Sequence, residues 1–324
     1  MKEFSIQAND AGQRLDRFVA KAVPLLPPSL AQKYIRLKRI KLNGRGSQRS
    51  ERLRAGDAVQ MYVNDEFFAE PREADAYKAI TEPGLDIVYE DSNILLVNKR
   101  AGMLCHPGDG GALPDTVIAR VQAHLHLSGQ WDPASELSFV PALCNRIDRN
   151  TSGLVIAAKN AAALRIINEK LRTREIDKFY LAAVHGAPST PSGRLTDYIF
   201  KDAVKNRVFA SDRRSPGARE AVTEYRTVAS SDGLSLLECR LLTGRTHQIR
   251  AQLARAGCPL LGDGKYGRGS LDSPYGERRQ ALCSYRLVFT FPTDARSLNY
   301  LRGREFRAAP ADFVRKYFGG ACVS

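Results

Sequence analysis

Five successive apolar residues, Leu154 to Ala158, follow nine that are mostly polar, Asn145 to Gly153. An apolar run this short reads as a strand buried on both faces. The polar lead-in must then be a turn at the mouth of a core strand, closed by Thr151-Ser152-Gly153. It sets one carboxylate, Asp148, between Arg146 and Arg149. A carboxylate near guanidinium groups stays ionised at neutral pH, which suits a nucleophile or a base and does not suit an acid. A plain surface turn, with Asp and Asn bonding their own backbone, fits the same residues. The flanking segments decide between the two.

At 324 residues the chain is long enough for two or three domains. Its 43% hydrophobic and 26% charged content is that of an ordinary soluble globular protein. No apolar run approaches the length of a membrane-spanning helix, and Met1 to Asn9 lacks an apolar signal core. These features predict a cytoplasmic protein. The net charge of +14 points to a polyanionic partner. Nine Lys or Arg residues and one acid, Glu51, fall between Lys33 and Arg54. A second cluster comprises Lys201, Lys205, Arg207, Arg213, Arg214 and Arg219. Neither forms the long amphipathic helix of a membrane-surface protein, so nucleic acid is the expected partner. The six cysteines contain no Cys-x-x-Cys pair, and the five histidines have no further ligand at metal spacing. No metal site is expected, and the cysteines read as small buried hydrophobes in a reducing compartment.

Residues 1–64 read as a separate small module, 65–84 as a linker and 85–324 as the main domain. Arg14 to Val19 opens an amphipathic helix, prolines at 24, 27 and 28 break the chain, and Ser29 is placed to cap a helix over Leu30 to Leu37. Ile40-Lys41-Leu42 is a short strand running into an Asn-Gly turn. The basic side chains Lys33, Arg36, Lys38, Arg39 and Lys41 would share one face and track a phosphate backbone. This order of elements resembles the small RNA-binding module first seen in a ribosomal small-subunit protein. From Leu85 onward, hairpin-like strands at Leu85 to Lys99, Gly153 to Ala158, Phe179 to Val184, Ala221 to Val228 and Leu234 to Leu242 predict an α+β fold. Its sheet would be mixed and mostly antiparallel, with flanking helices.

Two more segments concentrate polar groups beside apolar strands. Lys178-Phe179-Tyr180 starts a strand whose two-residue period puts Lys178 and Tyr180 on one face. Thr243 to Arg250 leads into a helix for which Thr246 is the expected N-cap and Gly257 the terminator. There His247 and Arg250 would share a face with anion-binding character. A half-buried packing tyrosine and a solvated basic helix are the ordinary alternatives. Gly262-Asp263-Gly264-Lys265-Tyr266-Gly267 matches a dinucleotide-binding pattern but opens no helix within a βαβ unit. It is expected to be a structural loop.

In order, these segments resemble the RluA-type RNA pseudouridine synthases. Asn145-Arg146-Ile147-Asp148-Arg149-Asn150-Thr151-Ser152-Gly153 is similar to the family's His-Arg-Leu-Asp-x-x-Thr-Ser-Gly. Lys178 and Tyr180 match its Lys-x-Tyr, Gly244 to Arg250 its Gly-Arg-Thr-His-Gln-Ile-Arg, and Pro259 to Gly267 its Pro-Leu-Leu-Gly-Asp-x-x-Tyr-Gly loop. Asn145 stands in place of the usual His, Ile147 of Leu, and Arg100 of the Pro after Lys99.

The resemblance implies the pseudouridine synthase fold, isomerisation of uridine to pseudouridine in RNA, and no cofactor. It implies that Asp148 is the catalytic aspartate, that Tyr180 stacks on the target uracil and that Arg250 pairs with Asp148. Arg146, Arg149, Lys178, Arg245 and His247 would then meet RNA. Uracil can leave with its own negative charge, so one ionised carboxylate can suffice where most glycosidases use two. Whether Asp148 attacks the anomeric carbon or removes a sugar proton stays open. Structured large-subunit ribosomal RNA is the expected substrate and transfer RNA the runner-up, with the chain acting as a monomer. A non-catalytic RNA-binding or assembly protein would tolerate loss of Asp148, Tyr180 or Arg250, and all three are present.

Overall fold

Two sheets account for nearly all the strands of the protein, a computed structural model that describes residues 1–68, 76–107, 115–202, 207–267, 269–272 and 274–320. Lys205 of the second basic cluster, Cys322 and residues 69–75 of the expected linker lie outside the described residues.

The small sheet has the order β1-β4-β2-β3, built from β1 (Lys2–Ser5), β2 (Ile40–Leu42), β3 (Arg45–Gly46) and β4 (Ala58–Met61). Helices α1 (Leu15–Ala22) and α2 (Pro28–Arg36) close one side of it. Leu15, Phe18, Val19, Ile35, Ile40, Val59 and Met61 form its core. Helix α2 begins earlier than the Ser29 cap predicts. Pro28 opens it, since a first-turn residue has no intrahelical use for the N–H that proline lacks. Asn43 and Gly44, both at positive φ, make the predicted turn between β2 and β3. The module is tied to the rest of the chain by short polar contacts. Asn9 donates to Glu136 at 2.6 Å, and Ser138 donates to the buried Asp10 at 2.5 Å while accepting from Gln13 at 2.7 Å. Within the span expected as a linker, Tyr77 is buried, edge-on to Trp131 and His126.

The large sheet contains β5 (Ile87–Glu90), β6 (Ile94–Lys99), β7 (Ala142–Leu143), β8 (Ser152–Ala158), β9 (Ile176–His185), β10 (Ser192–Asp202), β11 (Arg207–Ser211), β12 (Arg219–Ser231), β13 (Leu234–Leu241), β14 (Leu282–Phe289) and β15 (Glu305–Arg307). Its order is β11-β10-β12-β13-β9-β14-β8-β6-β5, with β7 paired to β8 and β15 to β14. Helices α3 (Val117–Leu127), α4 (Ala161–Arg172), α5 (Gln248–Arg255), α6 (Gly269–Asp272) and α7 (Asp312–Phe318) flank it. The fold is α+β, and the sheet is mixed and mostly antiparallel. Among the described residues, every strand pairing of this sheet but one is antiparallel; β8 and β14 run parallel. The Leu154–Ala158 run is the doubly buried strand that its composition predicts, every residue at 0% exposure. No helix among the described residues is long and apolar enough to cross a membrane.

The single parallel junction explains Gly153. It lies at φ +106°, and a Cβ there would stand 2.2 Å from the carbonyl oxygen of Ser284 on β14. A side chain would have to push β14 away from β8. The Thr-Ser-Gly ending of the turn is therefore set by the approach of a strand more than a hundred residues downstream, as well as by the turn itself.

Candidate active site

The Asp148 turn is anchored from below by backbone and buried side chains. Thr151 N–H donates to the Asp148 carbonyl at 3.1 Å, and Gly102 N–H to the Arg149 carbonyl at 2.8 Å. Lys99, 1% exposed, donates to the carbonyls of Arg100, Met103 and Arg149 at 2.9–3.0 Å. Its burial lowers the ammonium pKa to about 8. Asn145, which replaces the family histidine, is a peg within the sheet: its Oδ1 accepts from Ile156 N–H at 2.8 Å.

The facing wall is the loop from Thr243 to His247 and the start of α5. Gln248 is buried and organises it. Its Oε1 accepts from Thr243 Oγ1 at 2.8 Å and from Arg245 N–H at 3.0 Å, while its Nε2 donates to Val222 O and Thr223 Oγ1. This tertiary network moves the helix start. The expected N-cap, Thr246, is one residue early; His247 holds that place in the left-handed region, at φ 52°, and α5 begins at Gln248. Positive φ is uncommon for a non-glycine residue and is found where surrounding structure enforces it.

The two walls meet through Arg250. Its Nη1 donates to Asp148 Oδ2 at 2.8 Å, while Nε and Nη2 grip Asp263 at 2.8 and 2.9 Å. Tyr266 lies under the guanidinium, 5.1 Å from ring centroid to Cζ. Asp263 is fully buried, whereas the Asp148 side chain is 28% exposed. Burial pushes the Asp263 carboxyl up, but Arg250's hydrogen bonds and charge outweigh it and hold Asp263 below the usual carboxylate range. Burial lowers the Arg250 pKa as well, and the two carboxylates more than reverse it. The guanidinium is thus permanently charged, clamped by a fork to one carboxylate and pointed at the other.

Asp148, Tyr180 and Arg250 line one cleft of about 690 Å³, together with Arg146, Lys178, Arg245 and His247. Tyr180, on β9 and 7% exposed, has its hydroxyl pKa raised to about 12 by burial, so it serves as a neutral aromatic wall. Lys178 precedes it by two residues on the same strand face; burial lowers its pKa, and its ammonium has no hydrogen-bond partner among the described residues. Arg245 Nε is spent on the Glu220 carbonyl at 3.0 Å. Arg149 is not in the cleft; its Nε donates to the Gly102 carbonyl. On the small module, Lys33 and Arg36 line a separate hollow with Ser29, Gln48 and Arg49. Lys41 and Arg39 lie over Tyr62 and Tyr34 at 5.2 and 5.3 Å, and Lys38 is exposed in a positive-φ turn.

Sequence reasoning gave no role to Asp263 or Tyr266, both in the loop expected to be only structural. The available signal was the match of Pro259 to Gly267 to the family loop, whose Asp and Tyr fall on Asp263 and Tyr266. No group of three or more His, Cys, Asp or Glu that could hold a metal occurs among the described residues.

Comparison with known proteins bears on the family of the chain. Residues 93–255 match the family model for RNA pseudouridylate synthase. The chain is 32% identical over 275 residues to a Bacillus subtilis protein named as an uncharacterised RNA pseudouridine synthase, covering 82% of this chain and 84% of that one. It is 31% identical over 307 residues to the ribosomal large subunit pseudouridine synthase D of Xanthomonas campestris, covering 90% and 86%. The fold is similar to that of human RNA pseudouridylate synthase domain containing 4, with a TM-score of 0.54 at 24% identity, over 73% of this chain and 92% of that one. The chain belongs to the RNA pseudouridylate synthase family.

Proposed function

We propose that this enzyme isomerises specific uridines of structured large-subunit ribosomal RNA, with Asp148 as the catalytic aspartate, Arg250 as its partner and Tyr180 as the stacking wall. The observation that carries this reading is the arrangement at the cleft floor. A partly exposed Asp148 is held on Nη1 of a buried Arg250 whose other nitrogens are locked by Asp263. In the isomerisation the N1–C1′ bond of uridine breaks, the uracil turns, and C5 bonds to C1′. C5 then gives up its proton, and N1 gains one. Asp148 acts in its ionised form, by adding to the sugar or by taking a sugar proton, and the scheme needs no cofactor. Flipping the uridine out of the RNA costs a few kcal/mol, which basic contacts from Arg146, Lys178 and Arg245, and from Arg149 outside the cleft, offset.

Two observations support ribosomal RNA. Relatives covering most of the chain are named as ribosomal large subunit pseudouridine synthases, and the basic module adds a second phosphate-tracking face through Lys33, Arg36, Lys38, Arg39 and Lys41. We place the enzyme in the cytoplasm as a monomer, in keeping with the free thiols of Cys105, Cys144, Cys239, Cys258 and Cys283. The test is pseudouridine mapping in cells lacking the gene. Sites should vanish from large-subunit RNA and return with the wild-type gene; loss confined to transfer RNA would move the substrate to that class.

Lys178 supplies a narrower test. An unpartnered ammonium inside the cleft is suited to one phosphate. The Lys178→Gln protein should bind RNA more weakly, and the slope of log affinity against log salt should flatten by about 1. An unchanged slope would remove Lys178 from the phosphate contacts.

A further inference from the structure

The hydroxyl of Tyr266 carries two contacts that together fix the state of His247. Val208 N–H on β11 lies 2.9 Å from Tyr266 Oη, and His247 Nδ1 lies 2.8 Å from the same oxygen. A backbone N–H only donates, so the Tyr266 oxygen accepts from Val208 and still has its own hydrogen to place. If Nδ1 of His247 held a proton, that oxygen would accept twice. Its own hydrogen would then have no acceptor among the described residues. Tyr266 therefore donates to Nδ1, and the proton of the neutral imidazole sits on Nε2.

Burial disfavours a second proton on His247. Asp148 and Asp263 oppose that effect, while Arg250 and Lys265 reinforce it, and the net shift is downward. Nε2 is 3.8 Å from Asp148 Oδ2. That is too far for a hydrogen bond between them. It is close enough for one substrate atom to sit about 3 Å from both. No hydrogen bond to Nε2 forms among the described residues, and the side chain opens into the cleft at 15% exposure. The left-handed backbone of His247 and the buried Gln248 network hold this direction without any help from RNA.

We propose that His247, with its proton on Nε2, donates a hydrogen bond to uracil O2 of the flipped uridine beside Asp148 and keeps that proton throughout the reaction. The inference rests on the synthase reading and deepens it. When N1–C1′ breaks, the bonding pair stays on the uracil and spreads over N1, O2 and O4. O2 adjoins the broken bond, so a donor next to the group that acts on the sugar is placed where charge grows. A preorganised donor there lowers the barrier. A neutral imidazole also avoids protonating the detached base, which must remain an anion able to bond through C5. Tyr266 is a positioning residue in this scheme.

The test is the single-turnover rate of pseudouridine formation at saturating RNA, measured beside the RNA dissociation constant. His247→Leu removes the donor and should lower the saturated rate about 10²-fold, with affinity changed less than about threefold. His247→Gln restores an N–H donor and should recover most of the loss. Tyr266→Phe frees the tautomer and should fall between them. If His247→Leu keeps the saturated rate and loses only affinity, His247 is a backbone-contact residue and the proposal fails. It fails too if His247→Gln is as slow as His247→Leu. Wild-type protein that forms no pseudouridine, or an Asp148→Asn protein as active as wild type, would overturn the synthase reading instead.

Discussion

Replacing Asp148 with Asn should reduce pseudouridine formation by at least about 10³-fold while leaving RNA affinity and melting temperature close to wild type. Asn keeps an oxygen facing Arg250 Nη1, so the hydrogen bond now 2.8 Å long survives in weaker form. What is lost is the negative charge and the basicity or nucleophilicity that either chemical path requires. Arg250 is not stranded by this change, because Asp263 still holds Nε and Nη2. Tritium release from C5-labelled uridine in RNA, with binding measured separately, reads both effects. Residual turnover within tenfold of wild type would show that another group carries the chemistry.

Replacing Asp263 with Ala should damage both fold and rate. The side chain is completely buried and takes two hydrogen bonds from Arg250 and two from the backbone N–H groups of Lys265 and Tyr266. Removing one partner of a buried ion pair typically costs about 3–5 kcal/mol. Asp148 still offers Arg250 one bond, so we expect the lower end, about 3 kcal/mol, or a melting temperature lower by roughly 5–10 °C. The guanidinium would also lose the fork that aims it, and a misplacement on the order of 1 Å can cost about 10²-fold in rate. Thermal denaturation and single-turnover kinetics check the two parts. A variant that melts with wild type and turns over normally would refute the role given to Asp263. The contrast with Asp148→Asn is diagnostic, since one change removes chemistry alone and the other removes its support.

The segments carrying the chemistry were legible because each is a compact run of polar residues beside an apolar strand. Asp148, Tyr180 and Arg250 indeed converge on one cleft. What escaped is what tertiary structure alone decides. Asp263 looks like any loop aspartate until Arg250 arrives across thirteen residues. The start of α5 was misplaced because Gln248, and not a local cap, sets it through contacts to Val222 and Thr223. Helix α3 has six buried residues within Val117–Leu127 and no broad polar face, so its period is weak. Strand β10 leaves most of its residues partly or fully exposed and gives no run of apolar alternation. Asn145, in place of the family His, had no role legible in the sequence; it lines the cleft while its Oδ1 accepts from Ile156 N–H of the sheet.

The parallel seam between β8 and β14 has a consequence for how the centre is held together. Asp148 enters from the side of the sheet completed by residue 158, whereas Tyr180, Arg250 and Asp263 all belong to the other side. The strand that joins the sides, Leu282–Phe289, pairs with β8 across more than a hundred residues of chain. The reach from Asp148 to Arg250 therefore depends on a seam that neither residue belongs to. A side chain at Gly153 that forced β14 off β8 would draw the carboxylate away from its cation with both groups intact.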